Sequence, residues 1–425
     1  MNTTSRTTDN RKRLFSNFAA LGIIQGTNFL LPILVMPYVI KRVGADGFGV
    51  IAIAQVVMMF FATVADYGFN LTATRDVSLR KDNRNAVSKI FFSVLITRLL
   101  ICLALFLLLV LSVILVPFFH QYAVLYLLAF CTVIGQSIQM NWLFQAIERM
   151  KYVTYISLFA RLVFVLLVVL FIKTKSDIIY FIFFAGIGNI LAGLMSIAVA
   201  IKVLKLKIKI PSGHDVLNEL ENGWHITVSN LSVSTYMYIN VIVLRLFTND
   251  ATVGYYSVAE KVIQAARQIL SVYFQGIYPQ VCQLAISGKE QLLIFFKKYY
   301  LSFLLVVLLG CCICFLFSFR VVSFFLDNHR ELSAQCLRIL SFVPFIICLN
   351  IPAYQVLLAN HEKKSLLRIF IFGTLINLTL NLLMVKNGGP IATCYVVLVT
   401  ELLITAGLIY EMVKNPKTMF LNIIV

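Results

Sequence analysis

Between residues 252 and 283 an apolar segment long enough to cross a bilayer carries Glu260, Lys261 and Arg267 in its interior. Glu260, Gln264, Arg267, Gln268, Ser271 and Gln275 recur every three or four residues, so on a helix they form one polar stripe along an otherwise apolar rod. At about 1.5 Å of rise per residue, Arg267 lies about 20 Å from the start of that helix, close to the middle of a hydrocarbon core of about 30 Å. A charge at that depth costs about 2.5 to 3.5 kcal/mol on insertion scales, so these side chains are expected to face an internal cavity and to have partners. The chemistry open to such a stripe is recognition of a charged group inside the membrane.

Other charges sit in similar places. Arg98 and Arg161 each fall inside an apolar block, about nine residues from its cytoplasmic side. Snorkelling to the surface would span roughly 13 Å at helical rise, long for an arginine, which points both toward a cavity. Arg245 lies near the outer end of its block, within reach of the interface, and Arg338 a few residues inside another. Glu401 is a lone carboxylate in the middle of the last block. Such a group is either a proton or cation coupling site or the partner of a buried arginine. Asp66 closes the second block, Asn28 shares the first with Pro32 and Pro37, and Asn240 belongs to the seventh. The amides Gln136, Gln139, Asn141 and Gln145 suit hydrogen bonding between helices.

Several chemistries are missing from the sequence. It has no P-loop, no nucleophile elbow and no paired metal-ligand motif, so neither a metal nor a cofactor is expected. The five histidines are scattered, and the nine cysteines lie in apolar runs without zinc spacing.

The elements that must position these groups follow from composition. With 425 residues, 60% hydrophobic, and a mean hydropathy of +0.91, the chain is too apolar for a soluble protein. It reads as an all-α polytopic membrane protein of about twelve transmembrane helices: 14–40, 48–72, 88–116, 121–146, 152–173, 178–201, 222–247, 252–283, 290–318, 331–359, 364–386 and 388–413. The first block is too long for a signal-peptide core and is expected to be retained. The net charge of +18 is distributed by position: basic clusters such as Arg75, Arg80, Lys81 and Arg84, or Lys202, Lys205, Lys207 and Lys209, follow the even helices. By the positive-inside rule both termini are cytoplasmic. The basic residues need no nucleic acid to explain them, since none sits on a folded soluble module.

The turn KRVGADGFGVIAIAQ before helix two matches FTNDATVGYYSVAEK before helix eight. Setting Gly49 on Gly254, an offset of 205 residues, also aligns Ala54 with Ala259 and Gln55 with Glu260. This predicts two six-helix lobes, 1–201 and 222–425 with its short tail, joined by a cytoplasmic basic linker at 202–221. Parallel repeats of this kind occur in transporters that bind substrate between the lobes.

RVGADGFG after helix one, DYGFN followed by TRD after helix two, and VGYYSVAEK at helix eight together resemble the Wzx-type O-antigen and polysaccharide flippases of the multidrug/oligosaccharidyl-lipid/polysaccharide (MOP) exporter superfamily. The resemblance spans the whole chain in length and helix number. It implies a MATE-like fold around a central cationic cavity, a bacterial inner-membrane location, and transport of undecaprenyl-pyrophosphate-linked oligosaccharide from the cytoplasmic to the periplasmic leaflet, alongside other polysaccharide-assembly membrane proteins. Arg98, Arg161, Lys261 and Arg267, with Arg245 and Arg338 behind them, are then the candidates for the pyrophosphate, since arginine pairs with phosphate bidentately. Asn28, Gln264, Gln268 and Asn240 would line the polar cavity. Family members often carry Asp where this chain has Asn240. A proton or sodium gradient could be read by Asp66, Glu260 or Glu401. Two other readings are a drug or cation antiporter of the same superfamily, which would favour an acidic cavity, and a membrane enzyme of polysaccharide assembly, which would need paired carboxylates on external loops.

Overall fold

The computed structural model describes the backbone of residues 3–414 except 288 and 361, and the side chains of residues 34–414 except 275, 276, 279, 282, 283, 285–290, 293, 298, 299, 361 and 363. Among the described residues the chain is helical with no strand. In order the helices are α1 (Thr3–Asp66), α2 (Phe69–Ser78), α3 (Arg84–Leu115), α4 (Pro117–His120), α5 (Ala123–Ser137), α6 (Asn141–Ala146), α7 (Lys151–Phe171), α8 (Ile178–Leu204), α9 (Gly213–Phe247) and α10 (Asp250–Ser287). They continue as α11 (Lys289–Phe295), α12 (Leu301–Leu316), α13 (Ser318–Phe325), α14 (Arg330–Leu340), α15 (Val343–Ala359) and α16 (Lys363–Lys414), with one π-helical turn, Phe296–Tyr300, between α11 and α12.

The two longest helices are each two helices in series. In α1 the break is Gly44, at φ 77° and ψ 172°, and in α16 it is Gly389, at φ 54° and ψ −142°, followed by Pro390. Both backbones lie where a Cβ is strained, and the breaks fall where the sequence predicts helix boundaries. Besides 48–72, which breaks at Tyr67 and Gly68 between α1 and α2, two of the expected continuous helices are interrupted. Residues 121–146 divide into α5 and α6, and 331–359 into α14 and α15. At the break between α5 and α6 the Met140 N–H donates to Ser196 Oγ of α8 at 3.1 Å, which satisfies a donor that the break would otherwise orphan.

Eight described helices are long and apolar enough to cross a membrane, or nine if the bent pair α12 and α13 counts as one span. The count of twelve is therefore not confirmed by length and apolarity alone. Lipid exposure is visible on α3, where Leu99, Leu100, Leu103, Leu107, Leu111 and Ile114 all point outward, an apolar patch that water would not tolerate.

The chain groups into two compact units. The first comprises 1–35 and 54–231, the second 36–53 and 232–425. In the first, α8 packs on α5 and α7, and α2 packs on α6. Its core holds Phe69, Phe91, Trp142 and Phe144, all fully buried. In the second, α10 packs on α14 and α15, and α15 packs on α16.

The second unit contains both members of the glycine pair that the repeat aligns. A Cβ on Gly49 would stand 1.9 Å from the Asp250 carbonyl oxygen, and one on Gly254 would stand 2.0 Å from the Ala45 carbonyl oxygen. Ala45 and Asp250 are themselves 205 residues apart, so the contact is reciprocal: each repeat offers the same glycine to the same carbonyl of the other. The two turns cross backbone to backbone, which requires glycine on both sides. Arg245 pairs with Asp250 beside this crossing and donates to the Thr248 carbonyl at 3.3 Å, and Lys41 pairs with Asp327 at 3.1 Å.

Candidate functional site

A polar cavity lies inside the second unit, walled by one face each of α9, α10 and α16, with Leu340 of α14 closing one side. From α10 come Tyr256, Glu260, Ile263, Gln264 and Arg267, at the three- and four-residue spacing that puts them on one face. Tyr236, Met237 and Asn240 of α9 stand across from them, and α16 supplies Asn377, Val397 and Glu401. The free space between these walls is about 20 Å³, room for about one water molecule. A headgroup would enter only if the walls moved apart.

The electrostatic centre is Arg267. Its Nη2 donates to Glu401 Oε1 at 3.0 Å, with the arginine side chain 18% exposed and the carboxylate 4%. Its Nε is buried with no hydrogen-bond partner among the described residues. Glu260 accepts from Gln264 Nε2 at 3.3 Å, one turn along the helix. The wall thus carries one guanidinium and two carboxylates.

The same walls also hold a buried amide cluster. Asn381 Nδ2 donates to Asn240 Oδ1 at 2.8 Å and to the Asn377 carbonyl at 3.0 Å, and Asn377 Nδ2 donates to Thr400 Oγ1 at 3.3 Å. Asn240, Asn377, Asn381 and Thr400 are all at least 97% buried. Neutral amides can bind one another there without the several kcal/mol that each isolated buried charge would cost.

The other sequence candidates are placed elsewhere. Lys261 adjoins Glu260 on α10 but is not part of the wall, and neither is Gln268. Arg338 donates through Nε to Ser318 Oγ at 2.9 Å, holding α14 to α13. Asn28 and Gln275 lie outside the residues whose side chains are described. Arg161 is half-buried on α7 in the first unit.

Arg98 and Asp66 form an ion pair in the first unit. Asp66 ends α1 just before Tyr67 and Gly68, both at positive φ, and Arg98 also donates to the Gln139 carbonyl at 3.1 Å, in the break between α5 and α6. One arginine from α3 thereby ties two helix interruptions together. Both contacts come from the C-terminal ends of helices, where a cation is favoured.

Of the cavity residues, Tyr256 was not marked by the sequence, although it stands one turn before Glu260 on the same stripe and that spacing could have found it. Tyr236, Asn377 and Asn381 are visible in the sequence as polar residues in apolar helices, the two asparagines on one helical face at four-residue spacing, but with no sign that these meet α9.

Residues 14–285 match the family model described as "Polysaccharide biosynthesis protein". Over 416 residues the chain is 29% identical to a protein of Escherichia coli K12 described as "Putative O-antigen transporter", covering 96% of this chain and 98% of that one. Among solved structures, an inward-facing multidrug resistance MATE family transporter of the MOP superfamily superposes with a TM-score of 0.72 at 15% identity, over 93% of this chain and 97% of that one. The lipid II flippase MurJ in an inward closed conformation superposes at 0.69 with 14% identity, over 96% and 89%. The all-α fold is therefore shared with these two proteins.

Proposed function

Because the chain belongs to the polysaccharide biosynthesis protein family, we propose that it is a flippase that carries lipid-linked O-antigen or related polysaccharide repeat units across the bacterial inner membrane. The cargo in this reading is an undecaprenyl-pyrophosphate-linked oligosaccharide. The observation that carries it is Arg267: a guanidinium in the wall of a cavity between helices, with its Nε–H unpaired among the described residues. A buried donor without a partner is costly unless something else supplies the acceptor, and a phosphate oxygen does so with charge assistance.

The cavity would have to widen to admit the headgroup, the sugars would need space beyond it, and the polyprenyl tail would stay in lipid. Two six-helix lobes joined through 202–221 would rock about the bound headgroup, giving alternating access without exposing the charge to hydrocarbon. Both termini would be cytoplasmic. A proton or sodium gradient acting at Asp66, Glu260 or Glu401 would supply direction. Transport unaffected by either gradient in sealed vesicles would remove that part of the mechanism.

The pair of carboxylates, Glu260 and Glu401, favours a second reading, a drug or cation antiporter. One experiment separates the two. In a strain lacking the gene, periplasmic exposure of lipid-linked repeat units is measured on restoring wild type or Arg267→Ala at equal expression. Restored exposure with wild type and its loss with Arg267→Ala supports flipping. No restoration by wild type, together with altered drug resistance, would move the assignment to the antiporter.

A further inference from the structure

The side-on edge of a guanidinium, Nε with Nη2, is the fork that binds a phosphate or carboxylate through two parallel hydrogen bonds. At Arg267 this fork is half used. Glu401 Oε1 takes Nη2 at 3.0 Å and leaves Nε, buried beside it, with no acceptor among the described residues. Arg98 in the first unit also leaves its Nε without an acceptor, but it is packed against Phe69, whereas Arg267 stands in a cavity wall, so the cavity beside the unmet donor is what marks Arg267. The contact formed is the weaker, one-toothed version of the one available.

From this we infer that Glu401 is a displaceable internal counter-anion: it occupies Arg267 while the cavity is empty and is expelled when a phosphate group of the cargo takes the whole fork. This rests on the flippase reading and adds a specificity-determining residue to it. Glu401 neutralises Arg267 in the empty protein, so the cavity need not carry an uncompensated charge between cycles. It also sets a threshold. An anion must offer more than one carboxylate-like contact to win, which a pyrophosphate does and a singly bonded anion does not. Tyr236, across the cavity on α9, already engages Glu401, so the carboxylate keeps a partner when the guanidinium leaves it. Glu260 is the other fixed negative charge on the wall, and Lys261 adjoins it on the same helix. Neither takes part in the exchange.

The test uses the full-length protein in lipid nanodiscs and measures binding of farnesyl pyrophosphate, with inorganic pyrophosphate beside it, at fixed ionic strength. Glu401→Gln removes the competing charge and is expected to tighten farnesyl pyrophosphate binding at least tenfold. Glu401→Asp, which draws the carboxylate back by one methylene, should fall between Glu401→Gln and wild type. Arg267→Ala should abolish binding in either background. Equal or weaker binding by folded Glu401→Gln, with wild type binding normally, overturns the displacement and leaves the flippase reading standing. No binding by wild type, or undiminished binding by Arg267→Ala, removes the anion site itself and with it the basis of that reading. If neither Glu401 variant folds, the pair is indispensable to the structure and cannot be a displaceable one, which also overturns the inference.

Discussion

Arg98 offers a direct way to tell a fold-holding charge from a cargo-binding one. The side chain is 1% exposed overall, stacks 5.7 Å from the Phe69 ring centroid, and holds Asp66 and the Gln139 carbonyl at once. Arg98→Met keeps the apolar stem and removes the guanidinium. It leaves a carboxylate and a carbonyl without their donor inside an apolar surround. Breaking a buried pair from one side costs about 3–5 kcal/mol, and the 24% exposure of the Asp66 side chain places this case near the lower figure. About 3 kcal/mol is roughly two orders of magnitude in the folded-to-unfolded ratio. The assay is equilibrium unfolding of the purified protein in mixed detergent, run as a double-mutant cycle with Asp66→Leu. Removing both charges should cost less than the sum of the two single losses, with a coupling of about 1–3 kcal/mol. If Arg98→Met unfolds within about 0.5 kcal/mol of wild type yet loses transport, Arg98 is a cargo contact and the account of it as a tie between two helix breaks is wrong.

Two further substitutions test other parts of the structure by the same unfolding measurement. Gly254→Ala puts a Cβ 2.0 Å from the Ala45 carbonyl oxygen, where only backbone can yield, and should cost about 1–3 kcal/mol. Gly310→Ala, whose Cβ meets nothing within 4 Å, should instead be neutral or stabilise by about 0.5–1 kcal/mol. A Gly254→Ala as mild as Gly310→Ala would mean that the crossing is loose. Asn381→Leu strips the donor from Asn240 Oδ1 and from the Asn377 carbonyl and should cost about 1–3 kcal/mol, whereas stability equal to wild type would show that the amide cluster does not hold α9 to α16.

How much of this was legible beforehand depended on whether a property was local. The face of α10 bearing Glu260, Gln264 and Arg267 was legible because charges cannot sit in an apolar helix without a common direction to point. The breaks at Gly44 and Gly389 fell where polar interruptions predicted helix boundaries. The partner of Arg267 was not legible, because Glu401 is 134 residues away and only the packing of α10 on α16 selects it from the other carboxylates. For the same reason Arg98 reads from sequence as a cavity charge. Its partners stand at two breaks, and the one between α5 and α6 is absent from the hydropathy pattern, since the residues on either side are apolar. Gln268 and Ser271 show the limit of stripe arguments: a helical face broad enough to include them exceeds what the cavity uses.

The crossing of the two turns bears on how such a chain could arise. Gly49 meets the carbonyl of residue 250 while Gly254 meets the carbonyl of residue 45, so exchanging the repeats leaves the contact unchanged. That is the signature of an isologous interface, the kind two identical chains form about a two-fold axis. In a homodimer of half-length subunits, a single glycine would have served both sides. Fusion into one chain makes it two residues, free to drift apart, yet each still answers to the other's backbone. A substitution that relieved one side alone would break the symmetry without opening the space, which binds both positions to one shared constraint.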